Sequence, residues 1–185
     1  MKPGKTPAVN IVPVTPDRWS DLSSLFCTDP VAGTCWCMWP RYEPRSFRPN
    51  EDHRAEMQEI VLAGRVPGLI ARLDERAVGW CAIGRRREFP QYNASDVDDS
   101  AWAIPCIYVI PDCRGMGVSR ALLSGAVVYA TERAASIIHG PPPWWKAGSA
   151  AAVAATVAAF VATGFQVCGA GARFPLLELR VPLDR

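Results

Sequence analysis

The sequence predicts a mixed α/β fold (α+β), a central sheet of about seven strands flanked by about four helices. Three observations predict it. Strand-like and helical periodicities follow one another in the order β-α-α-β-β-β-α-β-α-β-β, the pattern of a sheet covered by helices. Two strand-like runs, Gly68 to Leu73 and Ala77 to Ile83, are separated by Asp74-Glu75-Arg76, which signals a hairpin. A buried-type strand from Trp102 to Ile110 carries Pro105 inside it. A proline removes a ladder donor, so that strand lies at an edge, holds a bulge or belongs to a splayed pair.

The elements follow in order. Met1 to Ala8, with two prolines, a glycine and two lysines, reads as a loose tail before a single domain spanning 9–185. Val9, Ile11, Val12 and Val14 form a β-branched run ending at Pro16. Asp17 then starts a helix with Trp19, Leu22, Leu25 and Phe26 at helical spacing. Cys27 to Pro49 reads as a loop of aromatics, cysteines and prolines, and loops of that length tend to be functional. Asn50 can cap a helix carrying Ala55, Met57, Ile60, Val61 and Leu62, stopped by Gly64. After the hairpin and the Pro105 strand comes an apolar helix from about Gly117 to Ala135. A strand from Ser136 to His139, an alanine-rich helix, and strands at Phe165 to Val167 and Phe174 to Val181 complete the chain.

Composition narrows the function classes. With 49% hydrophobic and 21% charged residues the chain is globular, and its formal charge of +2 is too balanced for binding nucleic acid by bulk charge. Arg85-Arg86-Arg87 reads as a solvated turn, too short a run to change that. Seven cysteines with no leader-like apolar N-terminus point to reduced thiols and a cytoplasmic setting. Ser149 to Phe165 is apolar but short of the ~20 residues a bilayer requires, so it reads as a core helix and no membrane partner is expected.

The chemistry concentrates at Ile107-Tyr108-Val109-Ile110-Pro111-Asp112-Cys113-Arg114-Gly115-Met116-Gly117-Val118-Ser119-Arg120. A buried strand runs through a glycine turn into a helix. Backbone N–H groups without intrahelical partners converge there, and with the helix dipole they suit a phosphate. Gly115 and Gly117 keep side chains away from the ligand, while Ser119 and Arg120 add a hydroxyl and a charge. A P-loop would need Gly-Lys-Ser/Thr, and a dinucleotide fingerprint would need glycine at position 120. Arg114-x-x-Gly117-x-Ser119 instead fits the pyrophosphate loop of an acyl-CoA enzyme, with serine at its last small position.

That segment resembles motif A of the GNAT superfamily of acetyl-CoA-dependent N-acetyltransferases. The element order from Val9 to Val181 and the ending Phe160-Val161-Ala162-Thr163-Gly164-Phe165 are similar as well. The resemblance implies a mostly antiparallel sheet with a splayed central pair, and acetyl-CoA as co-substrate. By it, the backbone of Ile107, Tyr108 and Val109 would pair with the pantetheine arm. The amides of Gly115, Met116, Gly117, Val118, Ser119 and Arg120 would wrap the pyrophosphate beside Arg114, and the Val109 N–H would steady the oxyanion. Many members carry a tyrosine, as general acid, where this chain has Phe160. Tyr108 is one substitute for that acid, unless it only packs. Thr156 could reach the pantetheine, unless its hydroxyl bonds back to its own helix. His139, at the end of the splayed strand, is a candidate base, with a structural histidine as the alternative.

Cys35-Trp36-Cys37-Met38-Trp39 has one residue between its cysteines and no second pair, which argues against zinc with Cys27 and His53; no metal is expected. In the resembled fold this stretch lines the acceptor pocket, so Cys35, Trp36, Trp39, Trp80 and His139 become candidate acceptor contacts, completed by Trp144 and Trp145. The alternative is that these aromatics roof the core. The Cys-Trp-Cys-Met cluster resembles a bacterial branch of the superfamily. The expectation is an N-acetyltransferase acting on a primary amine, the partner being a small molecule, as a monomer or homodimer. The alternative is an acyl-CoA-binding sensor with little catalysis.

Overall fold

A computed structural model describes residues 8–43, 45–48, 52–92, 98–142, 149–170 and 175–182. The expectations for the tail before Ala8, for Asn50 as a cap, for Trp144 and Trp145 and for Phe174 lie outside them. Seven strands form one sheet: β1 (Val9–Pro13), β2 (Gly68–Leu73), β3 (Arg76–Arg85), β4 (Ala101–Val109), β5 (Ile137–His139), β6 (Gln166–Gly169) and β7 (Leu176–Arg180). Their spatial order is β1-β2-β3-β4-β5-β7-β6, antiparallel throughout except for the parallel pair β4–β5. The helices are α1 (Trp19–Cys27), α2 (Pro30–Cys35), α3 (His53–Leu62), α4 (Val118–Thr131) and α5 (Ala150–Val161).

The two faces of the sheet separate cleanly at β3. A Cβ placed on Gly79 would touch Leu122 and Val118 of α4, whereas the next residue, Trp80, meets Phe26 of α1 at 5.7 Å between ring centroids. Successive strand residues point to opposite faces, so α4 and α1 cover opposite sides. Val118, Leu122, Leu123, Ala126 and Ala130 bury the i, i+4 stripe of α4, while Leu22, Leu25 and Phe26 do the same for α1. Each such leucine contributes about 1.5–3 kcal/mol relative to exposure.

Pro105 is accommodated by both a bulge and a splay. The β3–β4 register pairs Ala82 with Cys106 but Gly84 with Ala103, so β4 carries one extra residue around Pro105. On its other side β4 pairs with β5 only from Ala101 to Ala103. Past that point the chain turns to β7, where the Gly140 N–H donates to the Leu177 carbonyl at 2.9 Å. The far half of β4 is thereby left open on one edge, and this opening positions the site.

Three expectations are corrected. Cys27 to Pro49 is not one loop: α1 runs to Cys27 and a separate helix, α2, follows. Asp29 caps α2, accepting from the Ala32 N–H at 2.9 Å, and Pro30 sits at the first helical position, where its missing N–H costs nothing. The helix expected from Asn50 begins at His53, with Asp52 accepting from the Ala55 N–H, and Leu62 at its end is exposed. The alanine-rich helix is not a core helix either. Of α5 only Phe160 is buried; Ala152, Val153, Thr156, Val157 and Ala159 are half-buried and the rest exposed, so the helix covers the rim of the core rather than crossing it.

Candidate active site

The open edge of β4 faces a cavity of about 980 Å³. Its floor is Cys106, Ile107, Tyr108 and Val109, one end is Arg114, Gly115 and Ser119, and one wall is the α5 stripe Ala152, Ala155, Thr156, Ala159 and Phe160. The α1–α2 region roofs it with Phe26, Asp29, Ala32, Cys35, Cys37, Trp39, Pro40 and Phe47.

The backbone of β4 presents donors to this cavity by simple alternation. The Ile110 N–H donates to the Val78 carbonyl at 3.1 Å, so Ile110 and, two residues back, Tyr108 direct their backbone groups at β3. Ile107 and Val109 therefore turn theirs to the opened side. There the Val109 carbonyl accepts from Arg114 Nε at 3.1 Å, which ties the glycine turn to the strand.

The turn itself is built on left-handed backbone. Gly115 and Gly117 have φ of +77° and +82°, conformations that cost L-residues roughly 1–2 kcal/mol, and a Cβ on either would project into open space. Gly117 is the N-cap of α4, whose first internal bond is the Ala121 N–H to the Gly117 carbonyl at 3.0 Å. Val118, Ser119 and Arg120 thus carry the amides that a helix start leaves without intrahelical acceptors. Arg114, Gly115 and Ser119 line the cavity; Met116 and Arg120 are exposed on the turn beside it, and the Val118 side chain is buried in the core below.

The roof departs from expectation. Trp36 is not a cavity residue: it is buried, stacked on Trp19 at 5.6 Å and edge-on to Phe26 at 5.3 Å. Trp80 is likewise fully buried, beneath Phe26, against a glycine, Gly68, whose replacement would collide with the indole. The cause is local. Trp36 and Cys37 both have positive φ, +46° and +53°, and this reversal turns the indole into the core while Cys35, Cys37 and Trp39 face the cavity. Arg54 lies over both Trp19 and Trp36 and joins α3 to this packing.

Behind the roof, Tyr42 donates to the Glu56 carboxylate at 2.6 and 2.7 Å, and His53 Nε2 bonds the Arg48 carbonyl at 2.7 Å. The buried His53 ring stacks on Phe47 at 4.6 Å and so holds Phe47 against the cavity. Among the described residues no cluster of three or more metal-ligating side chains stands together.

The titratable groups divide by location. Burial, the neighbouring Cys37 adding to it, pushes Cys35 up to about 11, and the Cys106 thiol together with burial holds Cys37 well above the usual thiol range. These sulfurs are neutral and apolar in character at neutral pH. Tyr108 donates to Asp29 Oδ2 at 3.1 Å, and burial, reinforced by Asp29, pushes its phenol up to about 12. Asp29 is the single carboxylate among the described lining residues, and Arg114 the single guanidinium.

His139 is misplaced for a base. It is paired into the sheet between Ala103 and Glu178, lies outside the cavity lining, and is held below its ordinary pKa by burial and then by Arg86. Thr156 does line the cavity, but its hydroxyl donates back to the Ala152 carbonyl at 2.9 Å. Phe160 is fully buried, edge-on to Phe165 at 4.8 Å, with its ring against the cavity. Sequence reasoning missed Asp29, whose signal was present: an Asp-Pro pair is a helix start.

Comparison with known proteins agrees with this geometry. Residues 29–140 match the model of the acetyltransferase (GNAT) family. No curated protein matches the sequence. Among solved structures the chain is similar to YncA of Salmonella typhimurium with its cofactor acetyl-CoA, at 16% identity, TM-score 0.59, with 96% of each chain covered. It is similar to the PaiA N-acetyltransferase of Thermoplasma acidophilum in complex with coenzyme A, at 10% identity, TM-score 0.61, covering 94% of this chain and 99% of that one. The ribosomal-protein-alanine N-acetyltransferase of Brucella melitensis is similar at 22% identity and TM-score 0.55, with 94% and 99% covered.

Proposed function

Because the chain belongs to the GNAT acetyltransferase family and is an acyltransferase, we propose that it moves acetyl from acetyl-CoA to a primary amine of a small molecule. The observation that carries this is the single cavity joining the glycine turn, the open edge of β4 and the aromatic roof. Amides from Gly115 to Arg120, with Arg114, hold the diphosphate. Pantetheine lies along Ile107 to Val109 as a substitute strand, filling the edge that β5 vacates. The thioester carbonyl reaches the Val109 N–H, a fixed dipole aimed where negative charge develops. The amine enters beneath Phe26, Trp39 and Phe47 and attacks the carbonyl carbon directly. No enzyme nucleophile is required, and positioning of two substrates supplies much of the rate.

A roof of Phe26, Trp39, Pro40 and Phe47 over the open edge of β4 supports an acceptor with apolar or aromatic surface near its amine. The test is coenzyme A release and acetyl-sized mass gain with a panel of small primary amines and short peptides. Transfer to one or more small amines is expected. Tight acetyl-CoA binding without release to any acceptor would overturn the transfer reading in favour of a sensor, and transfer to peptides alone would overturn the small-molecule part.

A further inference from the structure

Several arginines gather where β3 ends, and they differ in how they are held. Arg41 pairs with Glu88 at 3.2 Å, Arg87 pairs with Asp99 at 2.5 Å, and Arg85 donates to the carbonyls of Asp99 and Arg133. Arg86 is half-buried, and its Nε–H lies inside the protein with no acceptor among the described residues. The geometry points to Arg86 as the anchor of an outer acceptor subsite, one that takes the carboxylate of an amine whose far end is negatively charged. This rests on the transfer reading above and names the substrate class within it.

The direction of Arg86 follows from the sheet. Trp80, Ala82 and Gly84 alternate onto the α1 side, and there a Cβ on Gly84 would meet Glu88 and Phe89. Gly84 pairs with Ala103, and Ala103 with His139, so His139 turns its ring to the same side. Arg85 goes to the other side, over Trp102 at 5.2 Å, which is edge-on to Tyr129 of α4. Arg86 returns to the α1 side. It lies over the Tyr92 ring at 5.9 Å, and after burial its charge is the next cause that holds His139 below its ordinary pKa.

That position borders the cavity. Tyr92 ends a short 3-10 turn, Pro90–Tyr92, which Gln91 ties to the roof by donating to the Tyr42 carbonyl at 2.9 Å. Tyr92 donates to the Gly140 carbonyl at 2.7 Å, and a Cβ on Gly140 would come within 3.4 Å of Phe160, a cavity wall residue. On the floor, Cys106 lines the cavity on the same face of the sheet. Ala103, beside His139, lies three positions further, roughly 10 Å of strand. An acceptor with its amine beneath Phe26 and Trp39 therefore reaches Arg86 with its opposite end.

The surroundings select an anion. The carboxylates around Arg86 are already held: Glu88 by Arg41 and by the Arg85 N–H at 2.9 Å, Asp99 by Arg87, and Glu178, the sheet partner of His139, by Arg180 at 3.1 Å. A guanidinium stays charged at neutral pH, and its planar fork of N–H donors matches a carboxylate in two parallel bonds. The Tyr92 ring beneath it favours the cation and keeps its plane fixed.

Pairs of acceptors that differ only at the far end test the subsite: ω-amino acids against n-alkylamines of equal chain length, over increasing length. Wild type should favour the longer amino acids in kcat/KM by about 10- to 100-fold, the worth of a hydrogen-bonded charge pair. Arg86→Gln should erase that preference, and Arg86→Lys should keep part of it. The preference is a ratio within one protein, so a change in folded fraction cancels. A wild type that treats every pair alike, or an Arg86→Gln variant that still favours the carboxylate, overturns the subsite. Binding is read without transfer, by NMR titration of the His139 ring, assigned with His139→Gln, in the complex with coenzyme A. Octanoate should raise the His139 pKa, since an anion beside it favours the imidazolium, and octanol should not. Arg86→Gln should abolish the octanoate effect. If no amine is acetylated yet octanoate acts on His139 through Arg86, the transfer reading fails and the subsite stands. If octanoate leaves His139 unmoved, or moves it as far in Arg86→Gln, the subsite is overturned.

Discussion

The two halves of the cavity are made of different material. The half at Gly115 to Arg120 and along β4 is backbone: amides at a helix start, a left-handed turn and an unpaired strand edge. The half under α1 and α2 is side chain: Asp29, Tyr108, Trp39, Phe47 and a set of protonated thiols. Backbone donors are indifferent to which residues carry them, so they suit a ligand common to many enzymes. Side chains discriminate, so the acceptor half is where this chain's individuality resides. Substitutions should act accordingly.

The largest effect belongs to the backbone half. Gly117→Trp places a bulky L-residue at φ +82° on the turn and should weaken acetyl-CoA binding by about 100-fold or more in a folded protein, read by calorimetry and circular dichroism. Retained affinity would break the distinction. Next is Trp36→Ala, which should cost about 3–5 kcal/mol in denaturant unfolding, because the indole is core, while acetyl-CoA affinity per folded molecule is unchanged. Trp39→Ala should do the reverse, raising the acceptor KM by about ten-fold with a stability change under about 1 kcal/mol. The contrast between two tryptophans three positions apart tests whether the roof is drawn correctly.

Thiol chemistry gives a smaller, graded effect. At pH ~8 about a thousandth of Cys35 is thiolate, so a small alkylating agent should modify exposed Cys27 and Cys168 first, and Cys35 labelling should rise steeply only as pH approaches about 11. The smallest effect is at His139. Its folded pKa lies below the usual value, so the unfolded chain takes up a proton the fold resists, and stability falls as pH drops below about 6.5. His139→Gln should remove that slope and leave the pH profile of acetyl transfer unaltered. A changed profile would return His139 to the site.

Much of the backbone half was legible in the sequence. Glycine alone takes left-handed backbone at little cost, and proline lacks the ladder donor, so glycines at 115 and 117 and a proline at 105 announce a turn and an interrupted strand pairing, which the structure resolves into both a bulge and a splay. The acceptor half was not. Trp36 and Cys37 adopt left-handed backbone that no propensity indicates for them, and one reversal exchanged the core face for the cavity face. Asp29 meets Tyr108 across 79 positions of chain, a pairing that only the packing of α1 and α2 on β4 creates. Alanine misled in α5, where small side chains suit a cavity wall as well as a core.

A crystal structure with acetyl-CoA tests the central claim most directly. The account predicts the diphosphate within hydrogen-bonding distance of the amides between Gly115 and Arg120, with the thioester oxygen on the Val109 N–H. Coenzyme bound away from the glycine turn, or a thioester pointing out of the β4 opening, would contradict it.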